Sequence, residues 1–407
     1  MTSFDPRTIR DQFPALALEQ DGQPVVYLDG PGGTQVPQRV IDAVVGYYRT
    51  MNANDGGAFV TSEATMAMVA EARAAVADLL GATDPGEVHF GANMTTLTFH
   101  LARALGRGWG AGDEVIITEL DHHANQGPWR AIEKERGITI KVVPLDVETF
   151  ELDWKALERA VTSRTRLLAI TAGSNALGTA PDVTKATELA HDAGALSFVD
   201  AVHFAPHGVV DVQAIDCDFL ACSAYKFYGP HIGVLYGKAE QLAALDVPKL
   251  DPAPDNVPER METGTQNHEG IVGAAAAVHF LASLGQGRNH REQVVSAMTG
   301  LHARGEALFA RLWEGIGAIA GVTRYGPPPG RPRTPTLTFN IAGISPEAAT
   351  RALADRGVWV SHGDYYAATV IERLGLVPDG MIRAGCSCYT SDEEVERLIA
   401  GVAAIAK

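Results

Sequence analysis

Residues 195–237 read ALSFVDAVHFAPHGVVDVQAIDCDFLACSAYKFYGPHIGVLYG. Three short apolar runs rich in branched and aromatic residues, ALSFVD, DFLAC and GVLYG, punctuate the stretch and read as buried strands. Two of them run straight into residues that carry chemistry. ALSFVD closes on Asp200, and DFLAC leads through Ser223 and Tyr225 to Lys226, just before a Gly-Pro turn. Lysine is rarely found fully buried, so one placed where the chain leaves a core strand asks for a reason.

The same texture extends upstream. EVHF, DEVIIT, ITIKVVPL and RLLAIT are four more such runs, most of them separated by segments of helical pattern. This alternation predicts βαβ units, hence an α/β chain with a mostly parallel seven-stranded sheet covered by helices on both faces. VIDAVVGYYRTM and SEATMAMVAEARAAVADLLG carry apolar residues at helical spacing, with Thr61 or Ser62 as the cap of the second and Gly81 as its stop. Beyond AAAAVHFLASLGQG the pattern changes. A long helix, the loop GPPPGRPRTP, and then TLTFNIAG, PEAATRALADRG, VWVS, MIRAGCSC and SDEEVERLIAGVAAIA predict a smaller α+β unit. The expected division is an N-terminal segment over 1–30 packing with the small domain, a large domain over 31–287 and a small domain over 288–407.

The whole chain, 407 residues with 46% apolar and 20% charged, is long enough to bury a sizeable core in this arrangement. Its formal net charge of −16 argues against nucleic acid or an anionic membrane as partner, so an anionic ligand must be held by local groups. The four cysteines, Cys217, Cys222, Cys386 and Cys388, are too few for a disulfide scaffold, and their spacing matches no metal site. MTSFDPRTIRDQFPAL lacks a basic stretch followed by an apolar core, and no apolar run reaches about 18 residues. The expectation is a cytoplasmic protein.

In an open parallel sheet, ligands bind where loops leave the carboxyl ends of the strands. After EVHF, the segment GANMTTLTFHLARAL puts Thr95 and Thr96 at a helix start, a place suited to phosphate. The later strand ends bring His122 and His123, then Asn175, then Asp200 with His203, then Ser223, Tyr225 and Lys226. Taken singly, each has an ordinary structural use as a cap, a surface histidine or a snorkelling lysine. Together on one rim they fit pyridoxal phosphate (PLP), which needs a Schiff-base lysine, a carboxylate at its pyridine nitrogen, a phosphate cradle and a flat group against its ring. Lys226, Asp200, the trio Thr95, Thr96 and Ser223, and His122 fill those roles in turn. A lysine in a partly dry pocket also has a lowered pKa, which lets it attack aldehydes and move protons.

At this point the chain resembles the fold-type I PLP enzymes of the class V aminotransferase group, nearest the cysteine desulfurase and selenocysteine lyase branch. ELDHHANQGPWRAI, TRLLAITAGSNALGTAPDV, the stretch from FVDAVHF to GVLYG, RMETGTQNHEGIVGAAAA and IRAGCSCYTSDEEVERLI stand in that group's order and spacing. The resemblance implies the PLP-dependent transferase fold type I, a small amino-acid substrate, and a homodimer with active sites at its interface. It implies that Arg383 forks the substrate α-carboxylate, that Thr265 reaches the neighbouring subunit's phosphate, and that Asn175, His203 and Tyr225 join the cofactor-binding set.

Departures from the branch bear on function. A desulfurase of this branch carries a cysteine on a loop shortly before the carboxylate arginine, yet GVWVSHGDYYAATVIERLGL contains none, and Tyr366 falls about at that place. Ser361 stands for a branch arginine, His203 for a glutamine that bonds the cofactor's phenolic oxygen, and Tyr225 for a phosphate-binding histidine. Cys386 and Cys388 follow Arg383 at odd spacing along an apparent strand, so they are expected on its other face. Cys217 and Cys222 flank a core strand and are expected to act as small hydrophobes. The expected function is therefore a PLP-dependent C–S or C–Se lyase or β-eliminase working through a Cα carbanion without a protein persulfide. Tyr366 and His362 join Arg383 at the substrate, and Tyr365 and Asp364 are further proton carriers. The alternatives are a class V aminotransferase, an amino-acid epimerase, or a non-catalytic scaffold, the last disfavoured by the intact Lys226, Asp200 and Arg383.

Overall fold

The seven apolar runs form one sheet in the computed structural model, which describes residues 6–406. They are β1 (Val88–Gly91), β2 (Glu114–Thr118), β3 (Thr139–Val143), β4 (Thr165–Thr171), β5 (Leu196–Asp200), β6 (Phe219–Ser223) and β7 (Gly233–Gly237). Their order across the sheet is β1-β7-β6-β5-β4-β2-β3. Strands β2 to β6 run parallel, and β7 is antiparallel to both of its neighbours. Parallel neighbours need crossovers that cover both faces, which is why every residue of β2 and β6 is buried; β7, inside the sheet between β1 and β6, is buried as fully. Successive residues feed opposite layers. Leu168, Ile170, Val199 and Leu220 join one apolar cluster, while Leu167, Ala169, Phe198 and Phe219 join the other.

Helix α1 (Gln38–Thr50) and helix α2 (Val60–Leu80) pack on the large cluster. Neither Thr61 nor Ser62 is the cap of α2. The capping position is Phe59, without a side-chain bond, and Ser62 lies inside the first turn. Its hydroxyl accepts from Gly57 N and donates to Asn54 O, stitching the preceding loop to the helix instead. Gly81 ends α2 in the left-handed region with φ 75°, a conformation that glycine adopts without a Cβ penalty. Helix α3 (Met94–Gly106) follows β1 and is capped by Asn93, whose side chain accepts from Thr96 N. Helix α4 (His268–Ser283) is almost wholly buried.

Helix α5 (His290–Gly317) runs from one unit into the next. Its Val294, Met298 and Leu301 belong to the large cluster, and its Leu308, Phe309, Leu312 and Ile316 to a separate small-domain cluster. The small sheet is antiparallel, with β8 (Val322–Tyr325), β9 (Thr336–Ile341), β10 (Ser361–Gly363) and β11 (Met381–Gly385) in the order β8-β9-β11-β10. Helix α6 (Asp392–Ile405) closes it behind a capping box of Ser391 and Glu394. The segment before residue 30 touches both units. Ile9, Phe13 and Leu16 sit in the large cluster, whereas Val26 and Leu28 sit in the small one. Strand β11 stops at Gly385, so the alternation expected to place Cys386 and Cys388 does not reach them; tertiary packing buries the first in the small-domain cluster and the second in the large one. Among the described residues, no helix is long and apolar enough to cross a membrane, and no cluster of three or more His, Cys, Asp or Glu side chains could hold a metal ion.

Candidate active site

A pocket of about 330 Å³ opens where β4, β5 and β6 end. Asp200 closes β5 and is paired in register with Thr171 on one side and Ala221 on the other. Lys226 follows β6 in a single tight turn over Ala224–Lys226. The pocket brings together Thr95, His122, Asn175, Asp200, His203, Tyr225, Lys226, Tyr366 and Arg383 of the expected set. It also draws on Pro31, Gly32 and Tyr365, which sequence reasoning did not place among the binding residues. The only signal for the first two is the GPGG run after Asp29, where small residues let backbone come close.

Lys226 is 8% exposed. Its Nζ donates to Gly32 O at 3.0 Å and to Pro31 O, and stands 4.9 Å from the Tyr225 ring centroid. Burial, reinforced by the like charge of Arg383, lowers its pKa to about 7, against the pull of Asp29 and Asp200. Asp200 accepts from Val202 N at 2.9 Å, and burial raises its pKa to about 6. His122 Nδ1 accepts from Ala124 N at 2.9 Å, which leaves the ring proton on Nε2. Burial and then the Lys226 charge push its pKa down to about 4, so the ring is neutral and presents a flat, uncharged face.

Among the described residues, three buried polar atoms around the pocket lack a protein partner: Asn175 Oδ1, His203 Nδ1 and Arg383 Nε. His203 Nε2 lies 3.0 Å from Thr334 Oγ1 and 2.9 Å from Thr336 Oγ1. Asn175 donates from Nδ2 to Tyr365 O at 2.9 Å, and its backbone oxygen accepts from Arg383 Nη1 at 3.1 Å. Arg383 also lies 3.5 Å from both Ser361 Oγ and Asp29 Oδ1, with its guanidinium 3.9 Å from the Tyr365 ring centroid. Orphaned polar atoms are rare in native interiors. An aromatic phosphate bearing an aldehyde would find here an amine that is neutral above about pH 7, a carboxylate, a flat ring face and unused hydrogen-bonding atoms.

Four expected residues stand elsewhere. Thr96 turns back on the cap, its N–H and its hydroxyl both bonded to Asn93 Oδ1 at 2.9 Å, and it lines a different surface depression together with Thr265. Ser223 lies under the helix start, where its Oγ accepts from Met94 N at 3.1 Å. His362, expected at the substrate, is instead exposed and lies toward Glu347, because alternation along β10 turns Ser361 toward Asp29 and Arg383 and sends the next side chain outward.

The loop opposite the lysine carries Tyr365 and Tyr366 with φ 56° and 55°, a region uncommon for bulky residues. Two bonds hold it. His123 N donates to Tyr366 O at 2.8 Å, and Asn175 holds Tyr365 O as above. The Tyr365 hydroxyl donates to Ser361 O at 3.1 Å and lies within hydrogen-bonding reach of Met381 O, whereas Tyr366 is 73% exposed at the mouth, its ring 5.6 Å from that of His122. All four cysteines are buried and none lines the pocket. Burial pushes the Cys386 thiol up to about 12 and the other three higher still.

The family described as aminotransferase class V matches residues 26–398. Cysteine desulfurases of Pectobacterium carotovorum subsp. carotovorum (strain PC1) and of Yersinia pestis are each 33% identical to the chain, the first over 98% of both sequences, the second over 100% of this chain and 99% of its own. Among solved structures, the apo cysteine desulfurase from Thermococcus onnurineus NA1 superposes with a TM-score of 0.90 at 28% identity, covering 100% of this chain and 99% of that one. The cysteine desulfurase CsdA from Escherichia coli, in an S-sulfonic acid form, gives 0.84 at 29% identity over 98% of each chain.

Proposed function

The chain belongs to the aminotransferase class V family, and from that membership we propose that it is a PLP-dependent, cysteine desulfurase-like enzyme: a C–S lyase of the β-elimination type acting on a small amino acid and releasing sulfur directly, without parking it on a cysteine of its own. Bound PLP supplies an electron sink that stabilises negative charge at the substrate Cα. The chain supplies everything else. Lys226, unprotonated above about pH 7, would hold the cofactor and later carry the Cα proton. Asp200 would keep a proton on the pyridine nitrogen, and the neutral His122 ring would cover one face. Thr95 and the start of α3 would take the phosphate, with Ser223 and Asn93 bracing that turn. His203 carries the orphaned ring nitrogen that suits the phenolic oxygen, with Asn175 lining the pocket beside it, and Arg383 would fork the substrate carboxylate.

The observation that carries the sulfur part of this reading is the pair Tyr365 and Tyr366 at the pocket, with every cysteine buried outside it. Sulfur transfer needs a thiolate in near contact. A thiol pushed up to about 12, as for Cys386, stays protonated at neutral pH. The Tyr365 hydroxyl is committed to backbone oxygen, which leaves Tyr366 and Lys226 to move protons at the substrate.

The working unit on this reading is a homodimer, with the exposed Thr265 serving the neighbouring subunit's phosphate. Four unpaired cysteines suit the reducing cytoplasm. The test is a product balance on PLP-loaded protein given L-cysteine and no added thiol. Sulfide, ammonia and a keto acid should appear in equal amounts. Alanine without sulfide would restore the desulfurase reading, accumulation of pyridoxamine phosphate would favour an aminotransferase, and D-cysteine alone an epimerase.

A further inference from the structure

Arg333 is 5% exposed, and among the described residues it forms no ion pair with a carboxylate. Its guanidinium lies 3.3 Å from the Phe309 ring centroid. Nε donates to Thr334 O at 3.2 Å, Nη2 donates to Leu177 O at 3.3 Å and to Thr336 O, and Nη1 has no partner among the described residues. A buried cation without a counter-charge is expensive to keep, so packing alone is a weak reason for it.

What the arginine joins is more informative. The turn over residues 174–180 and the segment over 332–336 lie side by side, with Thr334 N donating to Gly178 O at 2.8 Å and Ala180 N to Pro332 O at 3.1 Å. Gly178 has φ 75°, and a Cβ there would meet Arg333 Nη2 at 2.7 Å and Thr336 O at 3.0 Å, so this close approach requires glycine. That turn carries Asn175, which holds Arg383 through its backbone oxygen and Tyr365 through its side chain. The same segment presents Thr334 and Thr336 hydroxyls to His203 Nε2. Thr336 then opens β9, whose Thr338 pairs with Arg383 on β11.

We propose that Arg333–Thr336 is a positioning device for the pocket: the arginine fork fastens the Asn175 turn, and the two threonine hydroxyls fix the orientation of the His203 ring. Three carbonyls gathered by one planar fork is a task for which lysine or a neutral donor is a poor substitute. The device rests on the functional reading above, since it acts through residues assigned there to cofactor and substrate.

The experiment compares PLP-loaded parent protein with Arg333→Met, Thr336→Val and Thr336→Ser. PLP content, the pH midpoint of the bound cofactor's visible absorbance, and the apparent Kd for L-alanine, which lacks a leaving group, are measured together with melting temperature. Arg333→Met should keep its PLP and bind alanine about ten-fold more weakly or worse. Thr336→Val should shift the absorbance midpoint, while Thr336→Ser, which restores the hydroxyl, should match the parent. Parental alanine affinity and an unmoved midpoint, with or without a lower melting temperature, would overturn the proposal. If Arg333→Met does not fold, the Thr336 pair decides it. A parent protein that takes up no PLP would instead remove the functional reading, and the device with it.

Discussion

Lys226 is held by two backbone carbonyls in a pocket it shares with a second cation, Arg383, and it is an amine with a pKa of about 7. An amine whose pKa is lowered is neutral above the lowered value. Attack on the aldehyde of PLP by the cofactor-free protein should therefore speed up with a midpoint near pH 7 and level off above about pH 8, as stopped-flow absorbance would record; a rate still climbing toward pH 10 would show an ordinary lysine. By linkage, the cofactor-free protein should also gain stability as pH rises from about 7 toward the unfolded lysine value of about 10.4, because the unfolded chain binds the extra proton in that window. Lys226 and Asp200 were legible in the sequence because Asp200 closes one parallel strand and Lys226 follows the end of the next by a single turn. Pro31, Gly32 and Asp29 were not, since their approach to Lys226 and Arg383 is made by a loop remote in sequence. His362 was misplaced for want of a register, which only the pairing of Ser361 with Arg383 supplies.

At the scale of the element, α3 brings a cap and a pocket-lining residue into one turn. Asn93 takes Thr96 N, Ser223 takes Met94 N, and Thr95 is left at the pocket, where the positive end of a helix favours phosphate. Asn93→Ala should cost about 1 kcal/mol of stability and speed the loss of PLP on dialysis; unchanged melting and unchanged retention would separate the cap from the cradle. The sequence marked this helix start through GANMTT but could not divide the labour, because one residue of helical rotation sends Thr95 inward and Thr96 away. The strands were legible for a similar reason of periodicity, as β-branched runs between helical segments. Their ends were less so: the pattern MIRAGCSC continues as if in a strand, while Pro31 packed beside Gly385 and the isolated bridge to Asp29 end β11 there.

At the scale of the molecule, the pocket is walled from three directions: the sheet ends, the loop after Leu28, and the small-domain loop bearing Tyr365 and Tyr366. We propose the domain division at residues 31 and 287, with α5 as the shared spine, since its two halves serve different apolar clusters. This layout bears directly on sulfur. The loop that faces the lysine is pinned at both tyrosines and carries no thiol, and the cysteines lie in the cores behind. The most direct measurement mixes PLP-loaded protein with L-cysteine in the absence of added thiol, alkylates it, and examines the chain by mass spectrometry. No stoichiometric sulfur adduct is expected at Cys217, Cys222, Cys386 or Cys388, whereas a stoichiometric persulfide on one of them, abolished by replacing that residue alone, would contradict direct release of sulfur.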